Sequence, residues 1–382
     1  PVTVTLSNGS VITIKAGESV GTVVVDTPAN DVYNNGSTVS TTITGATGGN
    51  FENLVPSTTP AVTTITDSID TTTVTLTAGS TVTEGGQITY TATLTNPAQT
   101  PVTVTLSNGS VITIKAGESV GTVVVDTPAN DVYNNGSTVS TTITGATGGN
   151  FENLVPSTTP AVTTITDSID TTTVSLTATN TVTEGGQITY TATLTNPAQT
   201  PVTVTLSDGS VITIKAGESV GSVVVDTPPN DVYVNGSTVS TTITGATGGN
   251  FENLVPNTTP AVTTITDSID TTTVTLTAPS EANEGGQITY TATLSNKAGT
   301  DVTLKLDNGS SITIKAGDTV GTVTVPAPSD DVFIDKSTQT VKITDTAGGN
   351  FEKLEVAGDG ATTTINDTID KVDVVLTATT TV

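Results

Sequence analysis

Most of the charged side chains in this sequence are carboxylates. Asp and Glu number 36 against 10 Lys, there is no Arg, His or Cys, and the formal charge is −26. That inventory excludes a zinc site of the usual kind, a thiol nucleophile and a Ser-His-Asp triad. A phosphate backbone would be repelled, so no nucleic acid is expected as a partner. Paired carboxylates can hydrolyse glycosides, but aromatic residues make up 3% of the chain and no aromatic platform lines a plausible cleft, so an enzyme is not expected. Carboxylates and amide oxygens without basic partners can instead hold a hard cation. Ca²⁺ accepts about six to eight oxygens in irregular geometry and suits such residues better than Mg²⁺ does.

The elements that must position these acids recur at fixed spacing. PVTVTLSNGS begins at residues 1 and 101 and PVTVTLSDGS at 201, and residues 71–170 differ from 171–270 at only eight positions, among them Thr75/Ser175, Asn108/Asp208 and Asn134/Val234. The copy at 271–370 has drifted further but keeps the period of 100. That period exceeds a solenoid repeat of about 20–50 residues and matches one sandwich domain. The acidic, polar stretch TDSIDTTTV (166–174) is a natural boundary. Boundaries after Asp70, Asp170, Asp270 and Asp370 predict a truncated module at 1–70, modules at 71–170, 171–270 and 271–370, and the first strand of another at 371–382. Both ends fall inside a module, which predicts a segment of a longer array, with end-to-end pairing of the cut modules as a secondary expectation. No run of about 18 apolar residues exists and no signal peptide opens the chain, so no direct membrane insertion is expected.

Within 71–170 the hydrophobic period is two. Ile88, Tyr90, Ala92 and Leu94 alternate with Thr89, Thr91 and Thr93, and Val102, Val104 and Leu106 alternate with Thr103 and Thr105, the pattern of a strand with one buried and one wet face. Asn108-Gly109 signals a hairpin. Further runs at 72–78, between Gly109 and Lys115, and at 119–126, 138–144 and 161–166 give seven strands. The predicted fold class is all-β: tandem immunoglobulin-like β-sandwich modules arranged end to end, without the Cys–Trp–Cys core of antibody domains. Thr suits the outward strand faces by propensity. The alternative is a ligand-binding module that uses Thr-rich faces or loop tips for a sugar, ice or another cell, although twisted sheets make poor flat lattices.

Tracing an up-and-down sandwich assigns each loop to a pole. The exit pole collects Glu84, Asp131, Asp167 and Asp170, and the entry pole collects Asn96, the Glu118 turn and the Gly148–Glu152 segment. Exit pole facing entry pole then predicts four acidic groups. These are Asp31, Asp67 and Asp70 with Glu118, Asn150 and Glu152; Glu84, Asp131, Asp167 and Asp170 with Glu218, Asn250 and Glu252; Glu184, Asp231, Asp267 and Asp270 with Asp318, Asn350 and Glu352; and Glu284, Asp331, Asp367 and Asp370 at the last exit pole. Such groups either splay into solvent or take up Ca²⁺. Asp126 becomes Pro326 in the last copy, so a ligand role there is not general, and Asn135-Gly-Ser matches a glycosylation sequon that says little alone.

The combination TVTEGGQITYTATLTNPAQTPVTVTLSNG (81–109), DVYNNGSTV (131–139), GATGGNFENLV (145–155) and TDSIDTTTV (166–174) resembles the extender repeats of large RTX, Lap-type biofilm and ice-binding adhesins of Gram-negative bacteria, and the resemblance covers essentially the whole chain. The resemblance implies an extracellular stalk of end-to-end sandwiches on an outer-membrane-anchored adhesin, stiffened by calcium at the linkers and exported unfolded by type I secretion. It also implies that neighbouring repeats of the same chain are the partners, and that anchoring and ligand contacts belong to other domains. The absence of Cys agrees with export that needs no oxidative folding. The last copy departs from this pattern, with EANE at 281–284 where the earlier copies read TVTE.

Overall fold

The structure, a computed structural model, describes residues 1–379. The described residues are all-β, and the chain divides after Asp170 into two compact units. Among the described residues no helix is long and apolar enough to cross a membrane.

Repeat 171–270 shows how the alternation becomes a sandwich. One four-stranded sheet has the order Val220–Asp226, Gln187–Leu194, Thr171–Ala178, Asn253–Pro256. The run 237–248 is interrupted at Thr242. Its first part, Ser237–Thr241, pairs with Ala261–Thr266, and its second, Ile243–Gly248, pairs with Val202–Leu206. Two three-stranded sheets therefore share this run and face the four-stranded sheet. The apolar side of each alternation lies between them. Val174, Leu176, Ile188, Tyr190, Ala192, Leu194, Val202, Val204, Leu206, Ile212, Ile214 and Ile265 are buried, while the intervening Thr residues are largely exposed. Burial of a Val, Leu or Ile side chain contributes about 1.5–3 kcal/mol, so this core is what holds the repeat together.

Two features differ from an up-and-down sandwich of seven strands. Each complete repeat has ten strands, and two pairings are parallel: Thr171–Ala178 with Asn253–Pro256, and Thr181–Thr183 with Ala261–Thr266. The extra strands are short and carry little alternation. Thr181–Thr183 has three residues and Asn253–Pro256 ends in a proline, as edge strands allow. The direction of travel between poles survives, because both parallel pairs run from entry to exit. In residues 1–70 the run 20–26 forms no strand and Val24 is 90% exposed. Its pairing partner in the other repeats, the equivalent of Gln87–Leu94, has no counterpart there. Residues 371–379 form no strand, and residues 380–382 lie outside the described residues.

A buried hydroxyl distinguishes the last repeat. Tyr90 and Tyr190 hydrogen-bond Thr141 and Thr241, both at 2.8 Å, whereas Tyr290 faces a core in which Val341 replaces that Thr, and its hydroxyl has no partner. Burial, and secondarily Asp307, pushes the Tyr290 phenol above its ordinary pKa. Tyr190→Phe should cost about 1–2 kcal/mol by stranding Thr241, while Tyr290→Phe should be neutral or stabilising. Equilibrium denaturation of the two variants checks the contrast, and equal losses would refute it.

Candidate metal centre

Three carboxylates from two successive repeats converge in the second unit. Glu184 follows the short strand Thr181–Thr183 in a turn closed by Glu184 N–H to Thr266 O (3.0 Å) and Gly185 N–H to Pro228 O (2.7 Å). Gly185 has φ +70°, which a side chain would strain. Asp267 leaves the end of Ala261–Thr266. Glu352 follows the Gly-Gly-Asn-Phe turn of the next repeat, where Asn350 sits at φ 55°, a left-handed position that Asn tolerates. One oxygen from each of Glu184, Asp267 and Glu352 lies within 4.8 Å of the others.

Each carboxylate spends one oxygen on a backbone amide. Asp267 Oδ2 accepts from Asn235 N–H (3.1 Å), Glu352 Oε2 from Asp270 N–H (2.6 Å), and Glu184 from Ser268 N–H. The remaining oxygens, Glu184 Oε1, Asp267 Oδ1 and Glu352 Oε1, are buried without a hydrogen-bond partner. Glu184 is only 7% exposed. Unpaired buried carboxylate oxygens are costly unless paired or on a metal. Oxygen-only donors in an irregular cluster fit a hard cation such as Ca²⁺, to which Glu184, Asp267 and Glu352 would contribute the protein oxygens.

Burial first, then the neighbouring charges of Asp231, Glu352 and Asp267, raise the Glu184 pKa above its ordinary 4.5, against the opposing Ser268 amide. Folded Glu184 therefore holds its proton at a pH where the unfolded chain has lost it. Metal-free stability should rise as pH falls through that raised value and level off near 4.5. Glu284, also raised by burial and by Asp335, Asp367 and Asp330, acts in the same direction. In calcium the sign inverts, because protons compete with the ion. Melting curves from pH 7 to 5 with chelator and with calcium test this, and parallel trends would contradict it.

The other predicted residues of this group have different places. Asp231 uses both oxygens on its own loop, from Tyr233 N–H (2.7 Å) and Asn235 Nδ2 (2.9 Å). Asp270 Oδ2 accepts from Asn230 Nδ2 (2.6 Å) and Ser268 Oγ (3.3 Å). Asn350 pairs with the preceding repeat, its Nδ2 donating to Val234 O (3.3 Å). Asp318 is exposed, sits in a turn whose carbonyl accepts from Ala298 N–H, and lies outside the carboxylate group.

The first unit repeats much of this geometry between 1–70 and 71–170. Asp31 accepts from Tyr33 N–H (2.8 Å) and Asn35 Nδ2 (2.9 Å), and Asp67 from the Asn35 and Gly36 amides (2.9 and 2.8 Å). Asp70 Oδ2 accepts from Asn30 Nδ2 (2.6 Å), and its amide donates to Glu152 Oε2 (2.7 Å). Asp31, Asp67 and Glu152 line one cleft. Asn150 Nδ2 donates to Gln99 Oε1 (2.8 Å), and Glu118 is exposed. Residues 1–70 hold no counterpart of Glu184.

Glu84, Asp131, Asp167 and Asp170 belong to the first unit, and Glu218, Asn250 and Glu252 to the second. Each keeps the local geometry of its counterpart. Glu84 is buried with its amide on Thr166 O (3.0 Å), Asp131 accepts from Tyr133 N–H (2.7 Å), Asp167 from Asn135 N–H (3.1 Å) and Asp170 from Asn130 Nδ2 (2.6 Å). Glu218 is exposed, Asn250 has φ 59° and Glu252 is half-buried.

At the last exit pole the close group is Glu284, Asp331 and Asp335. Asp367 accepts from the Asp335 amide (3.1 Å), and Asp370 is exposed. Sequence reasoning missed Asp335. It stands where the earlier repeats have Asn35, Asn135 and Asn235, the residues that hold the acids, and aligning the copies position by position would have exposed it. Also missed were the ring pairs Tyr33–Phe151 and Tyr233–Phe351, which lie about 120 residues apart in sequence.

A family model described as the LapA domain matches residues 1–68, 70–168, 170–268 and 270–368. No curated protein matches the chain. A solved structure described as a tetra-tandem repeat in the extending region of a large adhesion protein is similar at 17% identity over 97% of this chain and 91% of its own, with a TM-score of 0.29. With four successive copies of the domain covering nearly its whole length, the chain belongs to the LapA domain family.

Proposed function

We propose that this chain is a structural extender of a large bacterial cell-surface adhesin, built of modules at 1–70, 71–170, 171–270 and 271–370 with 371–382 opening a further one, and stiffened by calcium where modules meet. The observation that carries the reading is the Glu184–Asp267–Glu352 group, whose buried oxygens from successive repeats lack any partner. Membership of the LapA domain family supports the adhesin context.

The mechanism is linkage. Calcium binds the folded, docked junction and not the unfolded chain, so it stabilises by RT ln(1 + [Ca]/Kd). Extracellular modules hold calcium at roughly 10⁻⁴–10⁻³ M. Cytosolic calcium would leave such sites empty, so the chain stays loose for type I export, and calcium outside the cell then fills them. The role is mechanical and needs no catalysis; the distal adhesive domain and the outer-membrane anchor lie elsewhere in the parent protein. Small-angle scattering with calcium and with chelator tests the proposal. A maximum dimension that shrinks and broadens on chelation is expected, and an unchanged one would overturn it.

A further inference from the structure

A second, metal-free contact lies beside the carboxylates. The Tyr233 ring stacks on Phe351 of the next repeat with centroids 5.9 Å apart and planes at 20°, and the two residues form an isolated antiparallel bridge. Around it, Val234 N–H donates to Asn350 O and Glu352 N–H to Val232 O, both at 3.0 Å, and the Tyr233 hydroxyl donates to Lys297 O (2.8 Å). Val232 and Tyr233 pack against the hydrophobic core of repeat 271–370, so that core extends into the preceding repeat. The first unit has the same arrangement, with Tyr33 on Phe151 at 5.6 Å, Asn34 N–H to Asn150 O (2.9 Å), Glu152 N–H to Val32 O (3.0 Å) and the Tyr33 hydroxyl to Pro97 O (2.7 Å).

The local backbone is shaped for this contact. A Cβ at Gly349 would stand 2.5 Å from Phe351 Cδ2, and one at Gly299 would stand 3.2 Å from the Tyr233 ring. Phe351 is 9% exposed beneath Tyr233, whereas Phe51 is 62% exposed. The bridge also ends on the amide of Glu352, the residue whose carboxylate enters the acidic group. Ring stacking and the two backbone hydrogen bonds of the bridge thus fix the backbone at Glu352, the one carboxylate that must cross between repeats.

We infer that the Tyr233–Phe351 bridge docks successive repeats without metal and presents Glu352 to the carboxylate group, making Tyr233 a positioning residue for calcium that never touches the ion. This rests on the calcium reading of that group. Preorganising a ligand removes the ordering cost that binding would otherwise carry. Loss of the ring should therefore weaken calcium binding at this joint by about tenfold, the equivalent of one aromatic contact. Loss of the hydroxyl alone, as in Phe333 of the last repeat, should weaken it by about threefold or less.

The sequences 231–235 and 350–356 are unique to this joint, so hydrogen exchange can be read there in the full chain. In chelator, the Val234 and Glu352 amides should be protected in the parent chain and in Tyr233→Phe but exchange freely in Tyr233→Ala. Calcium titration followed at the same peptides should give a Kd about tenfold higher for Tyr233→Ala, with strand amides in 271–370 unchanged. Free exchange in the parent chain without calcium would overturn metal-independent docking. An unchanged Kd in Tyr233→Ala would overturn the positioning role. No calcium response in the parent chain would instead count against the proposed function, leaving the bridge to be judged by the chelator arm alone.

Discussion

Adding calcium to the chelated chain is expected to raise the thermal midpoint of the repeats by roughly 10–20 °C. A hundredfold excess over Kd stabilises a singly occupied folded site by about 2.7 kcal/mol, and each kcal/mol moves a domain of about 100 residues by roughly 4–8 °C. The effect is large because the metal-free site is unfavourable as it stands, with Glu184 buried beside Asp231, Glu352 and Asp267 and no basic side chain among them. The repeat core is independent of metal, so chelated repeats should still melt cooperatively, at lower temperature. Differential scanning calorimetry with chelator, magnesium and calcium checks this. Magnesium should give little of the effect, since it demands a near-octahedral shell and dehydrates reluctantly. An equal rise with all salts would mean screening of a chain of charge −26 rather than a site.

Glu184→Gln is expected to invert that response at one joint. The substitution keeps the shape of the side chain but removes a charge whose neighbours are all negative. In chelator the variant should melt at the parent temperature or above it. In calcium it should lose the gain at that joint, with affinity there at least about tenfold weaker, because affinity in such sites follows the number of charged ligands. Asp318→Asn is the control. Asp318 shares the sequence neighbourhood but is exposed and outside the group, so its loss should leave calcium binding unchanged. Calorimetric titration of both variants separates a placed ligand from general acidity, and equal losses would refute the assignment.

The contrast between Glu184 and Asp318 also shows how far the sequence was legible. The period-two runs around Tyr190 and Val204 carry the all-β class and the core directly, because one buried face forces alternation. Counting strands assigns each loop to a pole, and in the structure one oxygen from each of Glu184, Asp267 and Glu352 lies within 4.8 Å of the others. Counting alone does not say which way a side chain turns. Asp231 and Asp270 lie in the right loops but are bound to Asn235 and Asn230, and Asp318 turns to solvent. The short parallel strands Thr181–Thr183 and Asn253–Pro256 were illegible because three or four residues on an edge carry too little pattern. The Tyr233–Phe351 contact was illegible for another reason. It joins residues 118 positions apart, and each alone reads as an ordinary aromatic in a loop.

The most direct test of the account is an anomalous-difference map from crystals of this chain grown in calcium. The account predicts an ion between Glu184, Asp267 and Glu352, with oxygens of all three at about 2.3–2.6 Å. A map with no ion there, or with these carboxylates turned apart into solvent while successive repeats stay docked, would contradict it.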